Sequence, residues 1–335
     1  MSLTRILLAW VAAALLAASP ASAAGFQYGT APNPGDQPIE LGIWYPSDAP
    51  ATTQPLGPFT QDVAYYGAVG GNSLPLIVVS HGTGGSAAGH YDTALALADA
   101  GFVVVALSHT GDNYKDRAYS FTTRNFVDRP KQVSRVIDFM LNAWSGHDHL
   151  DPTRIGIFGH SAGGATALIL IGGNPDLGLA ALFCHDHPDD WGCQQHQALA
   201  GKAADKGADP GLPDWHHDPR IKAAVIAAPA LGFAFTKVGL ENVSAPVQLW
   251  RAEDDKINPN KWFADIVKEN LPQPPEDHLV ANAGHFDFLA PCSDALAKVA
   301  AEICATQPGF DRTAFHQDMN KAIVAFFQAK LKPPP

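Results

Sequence analysis

"RIGIFGHSAGGA", residues 154–165, runs from an apolar stretch into one serine set between glycines, then straight into alanines and leucines. A core strand has no use for Ser161, and a surface loop has no use for Gly159, Gly163 and Gly164 packed so closely around it. A G-x-S-x-G sequence after a strand and before a helix is the pattern of a sharp turn that lifts one hydroxyl clear of a sheet. Ser161 is expected there in a strained backbone conformation. Side chains at 159 or 163 would collide with the neighbouring strand and helix, so glycine is required. A helix starting just after Ser161 points its first amide groups at the space before the hydroxyl, where negative charge can be held.

The flanking sequence repeats the strand-then-helix rhythm. "PLIVVSHG" (75–82) and "FVVVALSH" (102–109) are short, continuously apolar runs, suited to strands covered on both faces. "IELGIWYPS" (39–47), "IKAAVIAA" (221–228), "APVQLWRA" (245–252) and "EDHLVANA" (276–283) read as further strands. Helical spacing falls at 87–100, at 128–144 with Val133, Val136, Ile137 and Met140 on one face, and at 311–331. This alternation predicts an α/β fold with a mostly parallel central sheet and helices on both faces. Residues 183–219, acidic and rich in Gly, Pro and His, break the rhythm and read as a cap or rim insertion.

With 335 residues, 46% of them hydrophobic, the chain can bury a large core. Its start carries one cation, Arg5, an apolar run and then Ala21-Ser22-Ala23, the form of a secretory leader with an A-x-A cleavage site. The expected organisation is a signal peptide at 1–23 and one catalytic domain at 24–335, secreted or periplasmic. The apolar run is too short to span a bilayer comfortably, and no later stretch reads as a membrane segment. Losing the leader takes the formal charge from −11 to −12. Such a chain is a poor match for nucleic acid or anionic lipid, and a small neutral or apolar substrate suits it better. Export gives meaning to Cys184, Cys193, Cys292 and Cys304. Four cysteines allow three pairings. Because short loops close most easily, 184 with 193 and 292 with 304 is the expected set, each bridge contributing roughly 2–3 kcal/mol.

A serine hydroxyl needs a base. In sheets of this kind the chain order is serine, acid, histidine, so the base belongs after the last strand, where "LVANAGHFDFL" (279–289) supplies His285. The acid belongs after the preceding strand, where "VQLWRAEDDKINP" (247–259) offers Glu253, Asp254 and Asp255. The acid fixes the imidazole tautomer and stabilises the imidazolium. Two backbone N–H groups should hold an oxyanion: that of Ala162, next to the serine, and that of Thr83 in "SHGTGGS" (80–86). A phosphate loop would require a lysine that this glycine-rich stretch lacks.

Together these pieces resemble the α/β-hydrolase superfamily, and within it secreted dienelactone-hydrolase-like proteins and platelet-activating-factor acetylhydrolase-like esterases. The likeness is carried by "GIWYPS", "PLIVVSHGTGG", "GFVVVALSHTGDNY", "RIGIFGHSAGG", "AEDDKINP" and "AGHFDFL", in family order from about residue 40 to 290. It implies a Ser161–His285–Asp255 triad, because the family spacing of a small residue, Asp and a following Pro fits Ala252, Asp255 and Pro259. It also implies ester hydrolysis through an acyl-enzyme, without cofactor or metal. Two departures stand out. Dienelactone hydrolases use cysteine where this chain has Ser161. The acetylhydrolases take their acid from an earlier strand end, which reads "AAPALGFAF" (227–235) here, without a carboxylate.

Other features carry alternatives. "CHDHPDDWGC" (184–193) has imidazoles and carboxylates able to bind zinc or calcium, although such loop clusters usually just solvate. His109, at a strand end, is a candidate substrate contact or a satisfied buried histidine. Trp191, Trp215, Phe233 and Phe235 could line an apolar pocket or pack in the core. Competing functions are amide or peptide hydrolysis by the same triad, and non-catalytic binding on a hydrolase fold.

Overall fold

A computed structural model describes residues 23–203 and 214–333. The leader read at 1–23 therefore lies outside the described residues except for Ala23. In chain order the elements are β1 (Ala23–Ala31), β2 (Ile39–Ser47), β3 (Thr52–Leu56), β4 (Phe59–Tyr65), β5 (Leu74–Ser80), α1 (Tyr91–Asp99), β6 (Val103–Ser108), α2 (Thr123–Asn142), β7 (Leu150–His160) and α3 (Ala162–Leu170). There follow α4 (Gly178–Asp186), α5 (Trp191–Ala203), β8 (Ile221–Ala227), α6 (Lys237–Leu240), β9 (Val247–Ala252), α7 (Ala264–Asn270), β10 (Glu276–Val280), α8 (Asp294–Val299), α9 (Ala301–Cys304) and α10 (Arg312–Lys330).

The strands form one sheet in the order β10-β9-β8-β7-β5-β6-β2-β1-β4-β3. From β6 to β10 all neighbours are parallel. β2 runs antiparallel to both β6 and β1, and the β3–β4 hairpin closes the far edge. Every residue of β5 and β6 is buried, as their unbroken apolar sequence requires in a sheet covered on both sides. Side chains alternate between faces along β5: Leu76 and Val78 enter one core layer, Ile77 and Val79 the other. The first layer is completed by Val133, Val136, Ile137 and Met140 of α2 and by α3. The second is completed by α1 and by Met319, Ile323, Phe326 and Phe327 of α10.

The expected α/β class is what the chain adopts, with several local differences. β1, β3 and β4 do not stand out as strands in the sequence, because Pro and Gly are scattered through and between them, at Gly25, Gly29, Pro55, Gly57 and Pro58. In β1 the glycines serve packing: a Cβ on Gly25 would come within 2.2 Å of the Tyr45 ring that lies across it. α1 starts at Tyr91 rather than 87. α2 starts at Thr123, capped by Thr122, and carries Pro130 in its interior, where the sequence suggests a start. The stretch without clean periodicity holds α4 and α5, the first of them beginning at Gly178. Among the described residues no helix is long and apolar enough to cross a membrane.

Candidate active site

Ser161 joins β7 to α3 with φ 55° and ψ −117°, a backbone that L-residues rarely adopt. The glycines around it are dictated by backbone rather than side chains. A Cβ on Gly159 would lie 2.1 Å from the Gly163 carbonyl oxygen, and one on Gly163 would lie 1.9 Å from that of Ser80. Gly164 packs against Pro229, with 3.0 Å left for a Cβ. Neighbouring chain holds the turn in place: Ser161 N donates to Ala227 O at 2.9 Å, and Ala230 N donates to Ser161 O at 3.0 Å.

His285 opens a 3-10 turn, His285–Phe288, after β10. Its Nδ1 donates to Asp255 Oδ2 at 2.8 Å, with both side chains almost fully enclosed. The other Asp255 oxygen accepts from the backbone N–H groups of Ile257 (2.9 Å) and Asn258 (2.7 Å). This leaves His285 Nε2 as the outward ring nitrogen. The neighbouring carboxylates are engaged elsewhere: Glu253 accepts from Asn282 N at 2.9 Å, while Asp254 pairs with Lys256 and accepts from Gln307. His160, adjacent to Ser161, donates Nε2–H to the His285 carbonyl at 3.2 Å, and the two rings lie 4.9 Å apart. The histidine loop is thereby tied to the serine turn.

Gly82 closes the opposite side: a Cβ there would meet Ser161 Cβ at 3.2 Å. Among the described residues no hydrogen bond uses the N–H of Thr83 or of Ala162. Two groups that the sequence did not single out bracket this loop. Arg129, in α2, donates to the His81 carbonyl, to Asp112 and to Thr166 in α3. Asp112 accepts from Gly84 N at 3.1 Å. Arg129 and Asp112 are both completely buried, 2.5 Å apart. The loop is thus held at 81 from one side and at 84 from the other, which leaves Thr83 between two fixed points. The visible sequence signal was an Asp in "TGDNY" directly after a buried strand, together with an Arg at a helix position facing inward.

His109 is fully enclosed and does not stand at an open rim. Its Nδ1 donates to Gln132 Oε1 at 2.8 Å, and its Nε2 accepts from the Ser80 hydroxyl at 2.9 Å. Of the two readings open for His109, the geometry matches the satisfied buried histidine, since both ring nitrogens are engaged. Ser80 and His109 form a second serine–histidine contact, but it is sealed from solvent, ends in an amide rather than a carboxylate, and sits in regular strand. Burial lowers the pKa of His81, His109 and His160, helped at His81 and His109 by the Arg129 charge and at His160 by His285. His90, whose ring lies 5.4 Å from His160, is lowered to about 4, chiefly by burial. A wall of neutral imidazoles therefore backs the site.

Both disulfides have the expected local pairing, Cys184–Cys193 and Cys292–Cys304. Within "CHDHPDDWGC" His185 and Asp186 pair with each other at the surface, while two further side chains pack or cap. His187 lies against Phe183 and Trp262, and Asp190 caps Cys193 N. Among the described residues no group of three or more His, Cys, Asp or Glu is arranged to hold a metal ion. Of the four aromatics that could line a pocket or pack in the core, Phe235 is in the main core and Trp215 packs against that core. Phe233 stacks on Phe183 at 4.0 Å, and Trp191 sits edge-on to Phe121.

A parallel sheet with a strained serine at the end of a central strand, and a histidine–carboxylate pair beyond the last two, defines a hydrolase architecture. The chain matches the model of the alpha/beta hydrolase family over residues 77–302 and belongs to that family. No curated protein matches it.

Proposed function

We infer that this chain is a serine hydrolase that cleaves carboxylic esters through an acyl-enzyme intermediate. The observation that carries the reading is the strained Ser161 turn, bound through His160 to a histidine whose far nitrogen is held by a buried carboxylate. In this reading His285 Nε2 takes the Ser161 proton as Oγ attacks the ester carbonyl. Asp255 holds the Nδ1–H tautomer and stabilises the imidazolium without taking its proton. The free N–H groups of Thr83 and Ala162 receive the oxyanion, with the positive end of α3 behind them. The imidazolium then protonates the leaving alcohol. Water activated by the same histidine releases the acid. The likeness to secreted dienelactone-hydrolase-like and acetylhydrolase-like esterases supports an ester over a peptide bond. The leader at 1–23 and the two disulfides support a secreted or periplasmic protein.

The test is labelling by a fluorophosphonate probe together with turnover of matched p-nitrophenyl esters and anilides. Wild type and Ser80→Ala should label and prefer the ester, while Ser161→Ala should do neither. An unlabelled wild-type protein would mean a binding protein on a hydrolase fold. Preference for the anilide would move the assignment to amide hydrolysis.

A further inference from the structure

A pocket of about 590 Å³ opens between the loop that follows Thr83 and the segment that follows the His285 turn, and none of Ser161, His285 and Asp255 lines it. Its volume lies within the roughly 300–1,000 Å³ typical of small-molecule sites. Two of its walls are direct continuations of the loops that carry the site. Gly84 and Gly85 line it immediately after Thr83, and Leu289 lines it immediately after the His285 turn. Ala290 N donates to Gly89 O at 3.0 Å and stitches these walls together. The outer wall is Leu296 and Ile303, on the segment closed by Cys292–Cys304.

The lining is overwhelmingly hydrocarbon and bare glycine backbone. The two charged residues on it, Lys115 and Glu40, are half exposed and neutralise each other at 2.7 Å. Ser108 Oγ is occupied by Ala87 N at 3.1 Å. Nothing in the lining offers an unpaired charge to a ligand, and most of its surface is apolar, which suits an uncharged, largely apolar guest. The wall is also mechanically coupled to the site. Arg312 donates to Ile303 O (2.9 Å) and Ala305 O (3.2 Å), and to Asp287 in the His285 turn (2.9 Å). The same Asp287 accepts from Gly284 N at 2.8 Å, just ahead of His285. One arginine thus fixes the far wall of the pocket relative to the histidine.

We propose that this pocket binds the aliphatic arm of the substrate, making the enzyme selective for esters with a medium-length hydrocarbon chain. The substrate half of the proposal rests on the esterase reading above; the binding half does not. Burying each further methylene should raise kcat/KM about threefold to fourfold, or roughly a hundredfold from butyrate to octanoate. A p-nitrophenyl alkanoate series and an alkyl acetate series then tell whether the acyl or the alcohol arm enters.

Ala88→Trp and Leu296→Trp fill the pocket from opposite walls, so a folding failure in one leaves the other to decide. In either variant the long-to-short ratio of kcat/KM, in whichever of the two series rises with chain length in wild type, should fall at least tenfold. Binding is read separately, in Ser161→Ala protein, by fluorescence of the neutral dye N-phenyl-1-naphthylamine and its displacement by 1-decanol. Each tryptophan should weaken dye binding at least tenfold. Absence of dye binding to Ser161→Ala protein, equal binding in folded tryptophan variants, no rise with chain length in either series, or a parallel loss on the long and short members of the series that does rise overturns the proposal. Dye binding and its loss in the tryptophan variants, in a protein whose wild type hydrolyses no ester, would sink the esterase reading and leave the pocket standing.

Discussion

Replacing Asp112 by Asn changes almost no volume and removes one charge from a pair with no solvent around it. The Asp112 carboxylate receives Gly84 N at 3.1 Å, Ser120 Oγ at 2.5 Å, Asn125 Nδ2 at 2.7 Å and Arg129 Nη1 at 2.5 Å. An asparagine cannot satisfy this all-donor shell, because its amide nitrogen must face a donor. Breaking one side of a buried pair costs about 3–5 kcal/mol. Against a total stability of about 5–15 kcal/mol, this moves the protein close to its unfolding threshold. Urea denaturation followed by tryptophan fluorescence should report that loss in Asp112→Asn. The double variant Asp112→Leu/Arg129→Met separates stability from chemistry. Exchanging a whole buried pair for hydrocarbon is often neutral or better, so the double variant should recover much of the lost stability. It still leaves Gly84 N–H and the His81 carbonyl without their anchors. A loop displaced by about 1 Å can cost on the order of a hundredfold in rate. Because the oxyanion exists only in the transition state, that loss should fall on kcat with KM within about threefold. A folded double variant with wild-type kcat on p-nitrophenyl acetate would refute the view that this pair sets the loop.

Asp255→Asn should lower kcat by about 10⁴-fold through the wrong imidazole tautomer, whereas Asp254→Asn, whose carboxylate pairs with Lys256 and Gln307, should stay within about threefold. Steady-state kinetics on one ester decides between the two. Gly163→Ala should destabilise by more than about 3 kcal/mol, since its Cβ would meet backbone 1.9 Å away, which no rotamer change relieves; a thermal midpoint equal to wild type would contradict this. The buried histidines set an acid limit. His90 is lowered from 6.5 to about 4, so the unfolded chain binds more protons between those values. Its stabilising contribution of about 3 kcal/mol is complete above pH 6.5 and is lost as pH falls toward 4. His81, His109 and His160 act in the same direction. Urea midpoints should be flat from pH 7 to 8 and fall steeply below 6.5, and a level profile down to pH 4.5 would refute the assignment.

The central parallel strands were legible because burial on both faces leaves an unbroken apolar run, as in β5 and β6. The serine turn was legible because its glycines answer a backbone constraint that no other residue meets. The edge was harder to read. β1 pairs along its whole length with β2, yet its Gly25 makes room for the Tyr45 ring, and that reason is visible only across strands. Among three adjacent carboxylates the chain order allowed any, and only the family spacing favoured Asp255. In three dimensions the backbone N–H groups of Ile257 and Asn258 turn that side chain toward His285. Arg129 and Asp112 escaped notice because charged residues on a helix and in a loop ordinarily face water. Here a core position reverses that expectation. His109 could be read either way from its strand-end location, since enclosure depends on α2 packing over it.

Ser161 hangs from the end of β7, Asp255 follows β9 and His285 follows β10, which sits at the margin of the sheet. On the proposed mechanism the chemistry therefore has no partial form. A nascent chain would then stay inert until its final strand has docked, and a fragment ending before residue 276 would carry an idle hydroxyl. Regain of turnover after denaturation consequently times the closing of that margin, while spectroscopic signals from the middle strands can recover earlier.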